Sequence, residues 1–104
     1  MKNLLLLFAT LILLIGCSRV SDEDLRKAHT AYENGALIVD VRTVEEFKSR
    51  HIQNAINIPV QKLDKLYSSL PKDREIIVYC RSGSRSSMAA GYLRKKGRVV
   101  YDVA

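Results

Sequence analysis

Apolar and polar positions divide the chain into one long apolar run followed by short segments whose periods alternate between helix and strand. Ser21 with Asp24 three residues on marks a helix start, Leu25, Ala28 and Tyr32 fall on one helical face, and Asn34-Gly35 stops it. Leu37-Ile38-Val39-Asp40-Val41 then reads as a short buried strand. Thr43 with Glu46 repeats the capping pattern and opens a short helix that carries Phe47, and Ala55 to Ile58 is a second strand ended by Pro59. Leu63, Leu66, Tyr67 and Leu70 share a helical face closed by Pro71. Ile76-Ile77-Val78-Tyr79, β-branched and aromatic, is the clearest strand. A helix is expected from Ser86 to Lys96, with Met88, Ala89, Tyr92 and Leu93 inward and Arg94-Lys95-Lys96 before Gly97 suiting the negative end of its dipole. Val99-Val100-Tyr101 closes the series as a strand. Strands alternating with helices over short loops predict an α/β domain with a small parallel sheet flanked by helices.

The long run stands apart from this pattern. Met1-Lys2-Asn3 is a short basic start, Leu4 to Ile15 is almost unbroken apolar sequence, and Gly16-Cys17 follows at once, which together make the three parts of an export signal. The run is 12 residues long, whereas a bilayer-spanning helix needs about 20, so a permanent transmembrane anchor is the weaker reading. Leu14-Ile15-Gly16-Cys17 resembles a bacterial lipobox. That resemblance implies cleavage before Cys17, lipidation of Cys17 and lasting attachment to the cell envelope, facing the periplasm, or the outer surface of a cell with one membrane. Two or three acyl chains would hold firmly where one would not. The expected organisation is residues 1–16 as signal, 17–20 as a lipidated tether and 21–104 as the folded domain.

Composition then bounds what that domain can be. The chain has 104 residues, 47% of them apolar and 27% charged, which fits one small globular domain and excludes a disordered or collagen-like polymer. Seventeen Lys and Arg against 11 Asp and Glu leave +6. Lys2 leaves with the signal, and from Cys17 to Tyr79 there are ten basic and ten acidic residues. The whole excess therefore lies from Cys80 onward, as six basic residues against Asp102. A general nucleic-acid surface is not indicated by so local an excess. His29 and His51 have no partners at metal spacing and read as surface or capping residues.

With Cys17 lipidated, Cys80 is the one free thiol, and a lone cysteine in an exported chain reads as intermolecular or reactive. Cys80 follows the Ile76 to Tyr79 strand directly and precedes Arg81-Ser82-Gly83-Ser84-Arg85-Ser86, which runs into a helix. Ligands of parallel sheets bind beyond the carboxyl ends of the strands. A Ser- and Gly-rich turn at a helix start aims several backbone N–H groups at one point, a nest for an anion, and here the anion would be the sulfur. Helix terminus, backbone donors and two guanidinium groups all favour thiolate over thiol. An inert buried cysteine at a strand end is the alternative that this loop argues against.

Asp40-Val41-Arg42 with Glu46-Phe47, then His51-Ile52 and Ala55-Ile56-Asn57-Ile58-Pro59, then Val78-Tyr79-Cys80 through Ser86, resemble a single-domain rhodanese in order and spacing. The similarity runs from about Ser21 to Val103. It implies the α/β fold already inferred and a thiosulfate sulfurtransferase-like activity without cofactor or metal. Cys80 would take sulfur from a small anionic donor such as thiosulfate or a persulfide, hold it as a persulfide and pass it to a thiol, cyanide or protein acceptor. Arg81, Ser82, Gly83, Ser84, Arg85 and Ser86 map onto the loop that cradles the sulfur, with Arg85 and Arg81 suited to hold an oxyanion donor. Asp40 and Arg42 either line the same mouth or brace it as an ion pair.

Two other functions remain to be weighed. Cysteine phosphatases and arsenate reductases place Arg six positions after Cys, but position 86 is Ser and Arg85 comes one residue sooner, giving a tighter ring. A non-catalytic binding or redox-sensing module of the same fold is the other. Family members usually continue past the last strand with a further helix, whereas this sequence is expected to lack one, and Arg50 and Asn54 stand where the family often has Gly.

Overall fold

The computed structural model describes residues 20–103. The expected signal and the lipidation site Cys17 lie outside the described residues. Among the described residues no helix is long and apolar enough to cross a membrane.

Ser21 caps α1 (Asp22–Glu33) by accepting the Asp24 N–H at 3.0 Å, and the acidic first turn suits the positive helix end. Four strands follow: β1 (Leu37–Asp40), β2 (Ile56–Asn57), β3 (Ile76–Tyr79) and β4 (Val100–Asp102). Between them lie α2 (Val44–Ser49), the single turn α3 (Leu63–Leu66) flanked by 3-10 turns, and α4 (Ser84–Lys95). The sheet order is β2-β1-β3-β4 and every pairing is parallel, as expected. Alternation along the strands supplies two cores. Leu37, Val39, Ile76, Val78 and Val100 face Leu63, Leu70, Ala89, Ala90 and Leu93, while Ile38, Ile77 and Tyr79 face Ala28 and Ala31 of α1.

Several inward assignments are corrected. Leu25 and Tyr32 are 48% and 45% exposed, because α1 meets the sheet through Ala28 and Ala31, small residues that let the backbones approach closely. Met88 is 65% exposed, since the buried stripe of α4 runs through Ser86, Ala89, Ala90 and Leu93 and leaves position 88 to one side. Leu66 is exposed on its single helical turn. The last strand begins at Val100, and Val99 is exposed although its carbonyl accepts from the Ile76 N–H. Asn54 adopts φ 72°, the left-handed conformation a glycine would supply, which Asn tolerates better than most residues. Arg50 is extended, a conformation open to any residue.

Register positions the site. Asp40 pairs with Tyr79, and the Val41 N–H donates to the Tyr79 carbonyl, so the chain leaving β1 and the chain leaving β3 emerge side by side.

Candidate active site

Cys80 stands directly beyond β3, 9% exposed, and Gly83 brings the chain back towards it. Gly83 serves as N-cap of α4 at φ 93°, a backbone conformation that disfavours a side chain. That turn starts the helix two residues earlier than the sequence pattern indicates and points its first N–H groups at the sulfur. Gly83 N–H donates to Cys80 Sγ at 3.1 Å and Ser86 N–H at 3.3 Å. Buried Ser86 Oγ lies 3.4 Å from Sγ and donates to the Gly83 carbonyl at 3.2 Å. Burial alone pushes the Cys80 thiol up; the Ser86 hydroxyl and the Ser86, Gly83 and Arg85 backbone N–H groups outweigh it and bring the thiol below its ordinary value. Ser82 and Ser84 are exposed on the loop's outer side.

Asp40 and Arg42 brace the neighbouring chain. Asp40 is fully buried and accepts from the Arg42 backbone N–H at 2.9 Å, from Nε at 2.9 and 3.0 Å and from Nη2 at 2.6 Å. Burial raises its carboxyl, yet the Arg42 hydrogen bonds hold it below the usual range. Arg42 Nη2 also donates to the Arg50 carbonyl at 2.6 Å, and the guanidinium lies 5.5 Å from the Tyr79 ring centroid. Tyr79 in turn accepts the Ile52 N–H through its hydroxyl. Of the two readings left open for this pair, the geometry is that of an ion-pair brace whose arginine also lines a cleft of about 620 Å³ with Glu45, Glu46, Ser49, Arg50 and Arg81.

Residues 22–104 match the model of the family described as Rhodanese-like domain. The chain belongs to that family. A sulfurtransferase of Allochromatium vinosum is 41% identical over 61 residues, which are 59% of this chain and 57% of the relative. This rhodanese-like chain therefore spans little more than half of that relative's length. The thiosulfate sulfurtransferase GlpE of Pseudomonas savastanoi is 31% identical over 71 residues, 68% of this chain and 67% of that one. A solved rhodanese homolog from Thermus thermophilus superposes with a TM-score of 0.61 at 30% identity, covering 81% of this chain and 90% of the other.

Within the rhodanese-like domain, one residue at the site, Glu46, was read from sequence as a cap and as part of the family pattern, with no role at the loop. Glu46 does complete the capping box of α2, its Oε1 accepting from Thr43 N–H at 3.0 Å and Thr43 Oγ1 at 3.1 Å. The same carboxylate receives Arg85 Nη1 at 2.7 Å and Nη2 at 3.1 Å, and Arg81 Nη1 stands 4.0 Å away. The Arg85 guanidinium, and then the Thr43 N–H, draw the Glu46 carboxyl down to about 2. Arg85 is thus engaged by a carboxylate, while Arg81, with 78% of its side chain exposed, faces the cleft. The remaining cations after Cys80 serve elsewhere. Arg94 donates to the Val100 carbonyl, Arg98 to those of Leu70 and Pro71, and Lys96 lies over the Tyr67 and Tyr92 rings. They sit at or beyond the far end of a 12-residue helix that is about 18 Å long and has the thiol at its start, so the positive excess read from sequence is not concentrated at the site. His51 stacks on Phe47 with centroids 3.7 Å apart and meets the Phe47 carbonyl at 2.7 Å, the capping role, and His29 pairs with Glu33 on the surface of α1. Among the described residues no group of three His, Cys, Asp or Glu side chains gathers as a metal site.

Proposed function

We propose that this protein is a sulfurtransferase that carries sulfane sulfur as a persulfide on Cys80. The observation that carries the reading is the sulfur at the focus of the Gly83 and Ser86 N–H groups at the start of α4, 3.1 and 3.3 Å away. Relatives named as sulfurtransferases support the same class of chemistry. The Cys80 thiolate attacks the outer sulfur of thiosulfate or a persulfide; the new S–S bond forms as the donor's breaks, and sulfite or a thiolate leaves with the electron pair. Backbone N–H groups of Gly83, Arg85 and Ser86 stabilise the charge that moves to the terminal sulfur. Arg81 meets the incoming donor, and Ser82 and Ser84 form the exposed rim. A thiol, cyanide or a protein acceptor then removes the sulfur, with no cofactor required. The export pattern of residues 1–16 and the lipobox at Cys17 support attachment to the bacterial envelope.

Incubation of the full-length protein with thiosulfate or glutathione persulfide, followed by intact mass, tests the chemistry. One added sulfur is expected, and none in Cys80→Ser. A folded protein that gains no sulfur from either donor overturns the reading and leaves a binding module. Hydrolysis of a phosphate ester with inhibition by vanadate would establish a phosphatase instead.

A further inference from the structure

α1 runs antiparallel to the strands, so its two ends mark the two ends of the domain. Its C-terminus lies where the strands begin: Arg74 Nε, in the turn entering β3, donates to the Gly35 carbonyl at 2.8 Å, and Asn34 shares a cavity with Glu75. Its N-terminus lies where the strands end, because Asp24 shares a small cavity with Val100, Tyr101 and Asp102 of β4. At that end the Val103 N–H donates to the Val78 carbonyl at 3.1 Å, two residues before Cys80. The chain therefore enters the domain at the same end as the mouth of the Cys80 loop. From Cys17 to the cap Ser21 there are four residues, which reach about 14 Å at full extension. α1 has 12 residues and is about 18 Å long. Turning the domain over on a bilayer would lift Ser21 by the length of α1, farther than a chain fixed at Cys17 reaches, even where anionic lipid attracts exposed Lys72 and Lys95 at the opposite end. Charge at the mouth end is mixed, with Arg50 and Arg81 near the acidic first turn of α1, so reach rather than attraction sets the orientation.

We infer that the domain stands on the membrane with its Cys80 mouth towards the lipid surface and delivers its sulfur to thiols held at that surface, a placement that goes beyond the sulfurtransferase reading and rests on the lipid anchor proposed at Cys17. An acceptor thiolate at the bilayer attacks the outer sulfur of the Cys80 persulfide. The new sulfur–sulfur bond forms on the acceptor, the bond to Cys80 breaks with its electron pair returning to the Cys80 thiolate, and the proton travels with the transferred sulfur.

The test uses the full-length lipidated protein in phosphatidylcholine vesicles that carry a gadolinium-chelating lipid. Cys80→Ser is combined with either Ser82→Cys, on the exposed rim of the loop, or Asp73→Cys, on the exposed turn before β3, and the introduced thiol is spin-labelled. Relaxation by the surface metal is expected to be severalfold stronger at position 82 than at position 73. In the protein with Cys80 intact, 24 Gly and Ser residues inserted after Arg19 extend the mean reach to roughly 29 Å and free the orientation, so transfer from the Cys80 persulfide to a phospholipid with a thiol headgroup should fall about fourfold. Transfer to free glutathione should not change. Equal or stronger relaxation at position 73, or transfer to the lipid thiol indifferent to the insertion, overturns the inference while the protein still floats with the vesicles. A protein that does not float overturns the lipid anchor and the inference with it. Absence of sulfur on Cys80 overturns the sulfurtransferase reading and delivery at the surface, and the spin labels still decide the orientation.

Discussion

Ser86→Ala tests how the loop activates its thiol. The substitution removes the hydroxyl 3.4 Å from Sγ and leaves both backbone donors, Gly83 N–H and Ser86 N–H, where they are. A hydrogen bond to a charged group contributes about 1.5–3 kcal/mol, and this one is long and made to sulfur, so about 1.5 is the fitting end. The Ser86 hydroxyl also donates to the Gly83 carbonyl, and turning towards a thiolate gives up that bond, which offsets roughly 0.5 kcal/mol. The remainder, about 1 kcal/mol, corresponds to a thiolate fraction about fivefold lower at pH values below the midpoint. The assay is the rate of alkylation by iodoacetamide under pseudo-first-order conditions across the neutral range, because the rate follows the thiolate fraction. The midpoint of the Ser86→Ala profile should lie at higher pH than wild type, while Ser87→Ala, an exposed neighbour on α4, should leave it in place. An unmoved or lowered midpoint in a folded Ser86→Ala protein refutes the account of how the sulfur is charged. The sign extends to stability. A thiol lowered by folding stabilises the native state above its unfolded value, about 8.5, and that contribution disappears as pH falls through the folded value.

Asp40→Asn should cost about 3 kcal/mol at neutral pH in urea unfolding, because it leaves the Arg42 guanidinium largely buried without its carboxylate. Since folding lowers the Asp40 carboxyl, its contribution is complete above about pH 4 and lost as pH falls through the folded value, so the two proteins should converge in acid; equal urea midpoints at neutral pH would contradict the brace. Cys17→Ala should move the full-length protein from the detergent to the aqueous phase in phase separation, and retention in detergent would speak against a lipid anchor at that residue.

Local patterns carried much of the architecture. The Ser21 cap, the Thr43 and Glu46 capping box and the β3 strand each depend on residues within a few positions of one another, and each forms as the pattern indicates. Which side chains lie inward depends on what the rest of the chain supplies opposite them. Leu25 and Tyr32 sit on the expected helical face, but the sheet is met by two alanines between them, and no period within α1 reports that. The site divides the same way. Cys80 and its donor groups lie within six residues, so strand, turn and helix could be read directly; the partner of Arg85 could not, because Glu46 arrives by tertiary packing and its local task as a cap already accounted for it. The one available signal was that a carboxylate at a helix start faces the same sheet end as a loop with two arginines.

Placing the thiol after β3 also sets how often it can be exposed by spontaneous motion. β3 lies between β1 and β4, and its strand residues are buried on both faces, so its amides should be among the last to exchange with solvent hydrogen, whereas two-residue β2 at the sheet edge should open far sooner. A persulfide on Cys80 would therefore be shielded by the slowest-opening part of the domain. Its encounters would be limited to molecules that fit the mouth of the folded protein, and fraying of the edge strand would not release it to stray thiols or oxidants.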